Sequence, residues 1–227
     1  MRLSILHLIM AGIFTAVFVV FIFAKWQGKN EQIKTLNSEI STLQTKINQA
    51  EEVGTKALAY VRISRGLDII AGRHLSDRQK DILANRLFAI SDDYQIDPVL
   101  ILAVIRHESK GNPNARGAFF SGTESGALGL MQIKYESALE VARSVGVRIN
   151  SPEDLFVPEK NLMVGTAYLL RLIAKYNNLQ HALMAYNVGF GTLDGRLRSG
   201  GALPTRYYNR IIWEYKFLTE RIFDDRR

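Results

Sequence analysis

One carboxylate in the chain occupies a position where general acid chemistry is expected. Glu108 lies near the end of a predicted helix over residues 97–110, and Ile101, Val104 and Ile105 precede it by seven, four and three positions. These spacings place Glu108 on the apolar, inward face of the helix. Burial and the negative end of the helix dipole both raise the pKa of a carboxyl group, which a general acid near neutral pH requires. The alternative is a glutamate that reaches solvent or pairs with a neighbouring cation, and position alone does not exclude it.

Later residues suit a saccharide site around such an acid. Tyr186 shares a helical stripe with the apolar residues of a predicted helix over 179–188, so we expect a buried ring whose hydroxyl finds a partner near the carboxylate. Gln132 supplies an amide for an acetamido group or for ordering the site, while Gly126 and Gly129 allow the backbone to approach a substrate closely. Taken singly, each also fits an ordinary role as a core tyrosine, a helix-surface glutamine or a loop glycine.

These residues belong to an ordered set of motifs. The set comprises Glu108-Ser109, Asn112-Pro113-Asn114-Ala115, the run from Ser125 to Ile133, and Ala185-Tyr186-Asn187 followed by Gly189 and Gly191. In this order the set resembles the SLT family of lytic transglycosylases, the goose-lysozyme-like enzymes that cleave peptidoglycan. The resemblance covers about residues 90 to 222. No single motif is specific, whereas the combination is.

The resemblance implies a mechanism with one catalytic acid and with neither a metal nor an organic cofactor. Glu108 would protonate the glycosidic oxygen between N-acetylmuramic acid and N-acetylglucosamine, and the substrate's own acetamido group would stabilise the cation. Glu108 would then take the proton of the muramic C6 hydroxyl as a 1,6-anhydro ring closes, which is formally a lyase reaction. The resemblance further implies substrate-binding roles for Ser109, Ser125, Gly129, Met131, Gln132, Tyr168, Tyr186, Asn187 and Tyr208.

Two stretches depart from the family pattern. Lys134 and Tyr135 stand where the family usually has a hydrophobic residue and a proline, which puts one wall of the sugar site in question. Near the end, Pro204 replaces the glutamate of the family's Glu-Thr-Arg-x-Tyr motif. Tyr208 lies on the predicted buried stripe of the last helix, so it is the tyrosine that we carry over.

A long loop over residues 112–126 leaves assignments open. Either Ser121 or Ser125 assists Glu108, and a second carboxylate, Glu124, would permit hydrolysis by water if it faced the site. A hypothesis of another class is a wall-binding scaffold without activity, against which the intact motif residues argue. Nucleic-acid binding has no supporting motif.

The elements that position these residues are predicted to be helices. A capping box at Ser76 and Gln79 opens one helix, and Asp97 with Pro98 opens the next. Further helices are predicted over residues 131–145, briefly at 151–153, from 158, over 179–188 and after 204. The predicted fold class is mainly α, a lysozyme-like SLT domain over residues 66–227, with at most a small β element in the long loop.

Residues 1–27 predict a transmembrane anchor. No Asp, Glu, Lys or Arg interrupts the 22 positions between Arg2 and Lys25, which is enough to span a hydrocarbon core of ~30 Å. A cleaved signal peptide is the alternative, although the apolar run is long for one and Ile22-Phe23-Ala24 is a poor cleavage site. With peptidoglycan as substrate, the chain would cross the bacterial cytoplasmic (inner) membrane once and expose its catalytic domain to the periplasm.

Residues 28–65 predict a helical stalk. A short heptad pattern in it has Ile at a and Leu at d, which favours a parallel two-stranded coil. The pattern lasts little more than two heptads, so the stalk is expected either to hold the domain off the membrane or to pair two copies. The heptad residues are Ile33, Leu36, Ile40, Leu43, Ile47 and Ala50.

Composition excludes several classes of protein and leaves one question of partners open. The 227 residues are 47% hydrophobic, which excludes a fully disordered chain, and the absence of cysteine excludes disulfides and thiolate metal sites. A net charge of +7 suits an anionic glycopeptide and a lipid surface. Whether the chain serves general wall turnover or a dedicated envelope-spanning secretion or assembly apparatus stays open.

Overall fold

The structure, a computed structural model, describes residues 5–119 and 121–224, and its contacts divide the chain into two units, 1–56 and 57–227. Helix α1 spans Ile5–Ala71 and contributes to both units. In the second unit, α1 buries Ile63 and Leu67, which are 0% and 2% exposed. The sequence places the domain start at residue 66, whereas the second unit begins at Ala57 because this stripe of α1 packs into its core.

The first unit consists of the N-terminal part of α1. Within α1, a window of 18 residues has a mean hydropathy of 2.5, so by length and composition this helix can cross a membrane. The heptad residues from Ile33 to Ile47 are between 45% and 57% exposed in the single chain. Gly54 does not interrupt the helix.

The second unit is built mainly from helices, which confirms the predicted fold class. The helix α2 is opened by the predicted capping box of Ser76 and Gln79, and α3 by the side chain of Asp97, which accepts a hydrogen bond from the backbone N–H of Val99 at 2.9 Å. Two short 3-10 turns, Arg143–Val145 and Pro152–Phe156, connect longer elements. The helices are α2 (Asp77–Tyr94), α3 (Pro98–Ser109), α4 (Tyr135–Ala142), α5 (Pro158–Tyr176), α6 (Leu179–Val188), α7 (Phe190–Ser199) and α8 (Thr205–Phe223).

A three-stranded antiparallel sheet occupies the region of the long loop. Its strands are β1 (Arg116–Ala118), β2 (Glu124–Leu128) and β3 (Ile133–Lys134), in the order β1-β2-β3. Leu128 on the central strand pairs with Arg116 on one side and Ile133 on the other. The small β element allowed for by the sequence is therefore confirmed.

One prediction about helices was wrong, and one helix was missed. A helix was expected from residue 131, but α4 begins at Tyr135, because Gly129 and Gln132 adopt positive φ angles of 74° and 47° and the chain then enters β3. The helix α7 was not predicted. Gly191 and Gly195 lie inside it, and glycine in a helix interior weakens the local signal.

The helix α3 is the central element of the core and is held to α8 by polar side chains. All residues from Pro98 to Ile105 are buried. At the start of α3, Tyr215 donates a hydrogen bond of 2.6 Å to Asp97, and towards its end Arg106 pairs with Glu214. These links fix the end of α3, where Glu108 stands, relative to α8.

Candidate active site

Glu108 stands in the last turn of α3 and is mostly shielded from solvent. The inward face predicted from the spacing is present, since Ile101, Val104 and Ile105 are buried. Burial raises the pKa of Glu108 to about 7, and a hydrogen bond from Tyr207 opposes part of that rise. At neutral pH the acid and the carboxylate are therefore both well populated, so this group can donate or accept a proton.

The hydroxyl that reaches Glu108 belongs to Tyr207. Tyr207 is 6% exposed at the start of α8, and its hydroxyl donates to Oε1 of Glu108. Burial raises the pKa of Tyr207 well above its ordinary value, so the hydroxyl keeps its proton. The sequence pointed to Tyr208 instead, which is partly buried and does not line the cleft at Glu108. Successive residues of an α-helix point in directions about 100° apart, so Tyr207 and Tyr208 face different sides of α8.

Tyr186 lies beside Glu108, but its hydroxyl hydrogen-bonds to the backbone and not to the carboxylate. The hydroxyl donates to the carbonyl oxygen of Met131 at 2.8 Å. The ring of Tyr186 lies between those of Tyr168 and Tyr207, with centroid distances of 5.7 Å and 6.5 Å. Of the three rings, those of Tyr168 and Tyr186 line the cleft, where the apolar face of a sugar can pack against them.

Gln132 orders the backbone around the site. Its amide nitrogen donates to the carbonyl oxygens of Ala115 and Gly129, at 3.0 Å and 2.9 Å. Both amide protons are thereby used, and the carbonyl oxygen of the side chain is left as an acceptor beside Gly117. A Cβ on Gly117 would meet this oxygen and the hydroxyl of Ser125, so a glycine is required there.

Ser109 and Met131 hold the loop between β2 and β3, residues 129–132, in place. The hydroxyl of Ser109 donates to the carbonyl oxygen of Leu130 at 2.7 Å, which ties the end of α3 to the loop. Met131 is fully buried, and its backbone N–H donates to Oδ1 of Asn161 at 2.8 Å. Neither residue lines the cleft, so both act on the site through the backbone.

Asn161 and Gly129 hold the same loop. The amide nitrogen of Asn161, which is fully buried on α5, donates to the carbonyl oxygens of Leu128 and Leu155 at 2.8 Å each. Gly129 packs so closely that a Cβ there would collide with the carbonyl oxygen of Leu155 and the amide of Asn161. The predicted need for a glycine at 129 therefore comes from packing within the protein and not from the cleft.

The cleft next to Glu108 has a volume of about 560 Å³. It brings together most of the predicted residues, but Ser109, Gly129, Met131 and Tyr208 lie outside it. Its lining comprises Glu108, Arg116, Gly117, Ala118, Phe119, Ser125, Ala127, Gln132, Ile133, Lys134, Ser137, Tyr168, Tyr186, Asn187, Val188 and Gly189.

In the hairpin formed by β1 and β2, some residues line the cleft and others face solvent. Ser125 lines the cleft, whereas Ser121 pairs with Thr123 outside it. Glu124 also lies outside, with its side chain 69% exposed and 3.9 Å from Arg116. Glu108 is consequently the one carboxylate among the described residues that line the cleft. Within residues 5–119 and 121–224, no group of three or more His, Asp or Glu side chains offers a metal site.

Sequence reasoning missed three residues that matter here. Tyr207 is the neighbour of Tyr208, the tyrosine carried over from the family motif, and its contact with Glu108 depends on how α8 packs against α3. Lys134 was noticed as a departure but received no role. Arg116 borders the cleft, and its guanidinium lies near Phe156 and Glu124, a position that only the folded hairpin defines.

We expect Tyr207→Phe to raise the pKa of Glu108 by about one unit, since it removes a hydrogen bond that stabilises the carboxylate. NMR titration of the full chain in detergent, with ¹³C-labelled glutamate side chains, measures this directly. Tyr208→Phe is the matched control and should leave the titration unchanged. An unchanged or lower pKa in Tyr207→Phe would contradict the assigned contact.

Comparison with known proteins gives one family match. The profile of the transglycosylase SLT domain matches residues 86–209, more than half of the chain. The chain is 33% identical over 108 residues to the membrane-bound lytic murein transglycosylase E of Buchnera aphidicola, a match that covers 46% of each protein. It is 35% identical over 101 residues to the transglycosylase of Enterobacteria phage PRD1, covering 44% of this chain and 32% of that one.

The structure is also similar to solved proteins. The 70 kDa soluble lytic transglycosylase of Escherichia coli matches with a TM-score of 0.45 and 25% identity, covering 61% of this chain and 22% of that one. The matched segments span less than half the length of these relatives.

Proposed function

Because the chain belongs to the family of transglycosylase SLT domains, we propose that it is a peptidoglycan lytic transglycosylase that uses Glu108 as its single acid and base. The observation that carries this proposal is the position of Glu108. It is the one carboxylate among the described residues of the cleft, and its pKa is raised to about 7 by burial. The relatives named lytic murein transglycosylases support the same reaction.

The reaction needs two proton transfers at one carboxyl group. Glu108 gives its proton to the glycosidic oxygen as the bond from C1 of N-acetylmuramic acid breaks, and the acetamido oxygen of the substrate bonds to C1. The carboxylate then takes the proton of the C6 hydroxyl while the C6 oxygen displaces the acetamido oxygen from C1. A 1,6-anhydro ring forms, and Glu108 ends as it began, protonated. Tyr207 holds the carboxyl in place through both steps.

The surroundings of Glu108 favour ring closure over hydrolysis. An inverting or retaining hydrolase with two carboxylates holds the second one across the substrate from the acid. The candidate for that role, Glu124, lies outside the cleft and is mostly exposed. Mass spectrometry of digested peptidoglycan is the test: anhydro-muropeptides support the proposal, and free reducing ends support a hydrolase.

The pH dependence of the reaction should follow the pKa of Glu108. Only enzyme with a protonated Glu108 starts the reaction. We therefore expect kcat/KM to be constant at low pH and to fall about tenfold for each pH unit above about pH 7. Release of anhydro-muropeptides between pH 3.5 and 9, with the circular dichroism of the protein recorded at each pH to check that it is folded, gives the profile. Tyr207→Phe should move the falling limb to higher pH. A fall towards acid pH centred between 4 and 5 would indicate a second essential carboxylate instead.

We place the anchor in the bacterial cytoplasmic membrane, with the catalytic unit on the periplasmic side where peptidoglycan lies. The apolar window of α1 and the relatives named membrane-bound support this arrangement. Carbonate extraction of membranes, followed by protease treatment of spheroplasts, tests it. Release by carbonate, or protection of residues 57–227 from external protease, would contradict it.

We further propose that the stalk pairs two copies in parallel, because its a and d residues are exposed in the single chain. Crosslinking of a cysteine introduced at Ile40, in membranes, is expected to give a covalent dimer. The same change at Lys46, outside the a and d positions, is the control.

A further inference from the structure

A second concavity of the surface is separate from the catalytic cleft. Its volume is about 510 Å³, and none of the residues that line it also lines the cleft. The last turn of α1, the end of α3 and the middle of α8 form it. We call this concavity the basic groove.

Two helices each bring one cation and one aromatic ring to the basic groove. Lys110 ends α3 three positions after His107, and on α8 Arg210 precedes Trp213 by three positions. Burial lowers the pKa of His107 and the charge of Arg210 lowers it further, so Arg210 lies close enough to act on this ring. His107 is therefore mostly neutral at pH 7, and it contributes a ring and not a charge.

Lys110 and Arg210 are not neutralised within the part of the chain that the structure describes. A third cation of the groove, Arg106, pairs with Glu214 and stacks 4.1 Å from the ring centre of Phe217, so its charge is used inside the protein. For Lys110 and Arg210, the structure records no ion pair among residues 5–119 and 121–224. The basic groove therefore keeps a positive charge that a bound anion can neutralise.

An apolar surface adjoins these two cations. Trp213 is 53% exposed, and its indole stacks at 5.7 Å on the ring of Phe217, which holds it in one orientation. Ile69 and Ile70 of α1 line the same groove. A tryptophan held in place in a groove with two isoleucines gives the apolar part of a ligand a surface on which to pack.

We propose that the basic groove is a second, non-catalytic site, which binds the carboxylates of a peptidoglycan stem peptide. The inference rests on the proposed function, because that function brings the catalytic unit into contact with the wall. A stem peptide carries free carboxylates next to small apolar side chains, which match the two cations and the apolar surface beside them. Binding there holds the enzyme on the wall while the cleft is empty.

The size and shape of the basic groove favour a short peptide over other anionic partners. A volume of about 510 Å³ falls in the range of sites for small ligands. A stable protein partner would cover about 800 Å² of the chain, and an anionic membrane attracts clusters of about four to eight cations. Two cations that line a groove with half-buried His107 fit the end of one short chain instead.

Titration of the full chain in detergent with the free tetrapeptide L-Ala-γ-D-Glu-meso-diaminopimelate-D-Ala tests binding directly. In protein with ¹³C-labelled histidine, the ring signal of His107 reports occupation of the groove, and its loss in His107→Gln assigns it. We expect the peptide to shift this signal, and Arg210→Gln and Lys110→Met each to lower the affinity about fivefold. The absence of a shift at about 20 mM peptide would overturn the proposal.

The matched controls are Arg148→Gln and Lys216→Met, which remove the same charges at exposed positions outside the groove. They should bind the tetrapeptide as wild type does. Equal losses in the controls and in the groove variants would reduce the effect to net charge and overturn the proposal. Lys110 and Arg210 are themselves exposed, so their variants should fold, which circular dichroism checks.

Three further probes separate a peptide carboxylate from other anions. The tetrapeptide with all carboxylates amidated should leave the signal of His107 unchanged. Glycerol phosphate, which is the headgroup of an anionic phospholipid, and hexaglutamate, which represents an acidic protein segment, should bind about tenfold more weakly than the tetrapeptide. If either bound as tightly as the tetrapeptide, the groove would belong to a lipid or to an acidic protein, and the proposal would be wrong.

Pelleting with sacculi tests the groove on the whole wall. With Glu108→Gln as the parent, adding Arg210→Gln should lower the affinity for native sacculi about threefold and leave the affinity for sacculi stripped of peptide by an amidase unchanged. Equal losses on both kinds of sacculi, or none on either, would contradict the proposal. Binding needs no turnover, so failure of the proposed function is seen separately, in the release of anhydro-muropeptides by wild type.

Discussion

Glu108→Gln is expected to reduce the release of anhydro-muropeptides about a thousandfold or more. The amide has the shape of the carboxylic acid but can neither protonate the glycosidic oxygen nor accept the proton of the C6 hydroxyl, and both steps depend on this one group. Glu124→Gln is the control and should retain at least half of the activity, because Glu124 lies outside the cleft. Equal and very low release by wild type and Glu108→Gln would instead support a wall-binding scaffold.

The same substitution should stabilise the protein at alkaline pH. The pKa of Glu108 rises from 4.5 to about 7 on folding, so its contribution to stability is complete below pH 4.5 and is lost as pH rises through 7. Relative to wild type, Glu108→Gln should therefore gain roughly 2–3 kcal/mol between pH 4.5 and pH 8. Thermal unfolding in detergent at both pH values measures the gain. A variant that is less stable than wild type at pH 8 would show that the loss of activity reflects damage to the fold.

Asn161→Leu is expected to lower the free energy of unfolding by about 3–6 kcal/mol. The fully buried amide satisfies the N–H of Met131 and the carbonyl oxygens of Leu128 and Leu155, and leucine satisfies none of them. Activity should fall as well, because Tyr186 hydrogen-bonds to the carbonyl of Met131 in the loop that Asn161 holds.

Asn209→Leu is the matched control for this prediction. It makes the same change at an exposed position of α8 and should alter stability by less than about 0.5 kcal/mol. Urea unfolding of both variants, followed by circular dichroism, gives the comparison. Similar stability of the two variants would mean that Asn161 does not hold the loop.

The sequence predicts the parts of this fold that are encoded locally. The helix α3 and its start follow from Asp97 and Pro98, and the inward face of Glu108 follows from the spacing of the apolar residues before it. A cap or a periodic stripe lies within a few residues of the chain and can be recognised without its partners. The family motifs indicated which residues belong to the site, but not which of them contact one another.

The remaining features depend on tertiary packing. The last helix carries apolar residues on adjoining faces, including Ile211 and Ile212, so its sequence does not fix which tyrosine turns inward, and α3 selects Tyr207. The role of Asn161 is equally invisible, because its three partners lie six to thirty-three residues away and meet only in the fold. The sequence analysis placed Gln132 on a helix, whereas its positive φ excludes a helix at this position. The side chain of Gln132 closes the loop by bonding to the carbonyl of Gly129, a contact that the sequence does not reveal.

A digest of peptidoglycan in water enriched in ¹⁸O tests the central claim most directly. If the C6 hydroxyl of the substrate is the acceptor, as the single carboxylate of the cleft predicts, the products carry no ¹⁸O and are lighter than hydrolysis products by one water. Glu108→Gln, digested in parallel, should yield neither product. Incorporation of ¹⁸O at the new reducing end of muramic acid, lost in Glu108→Gln, would contradict the account and identify a hydrolase.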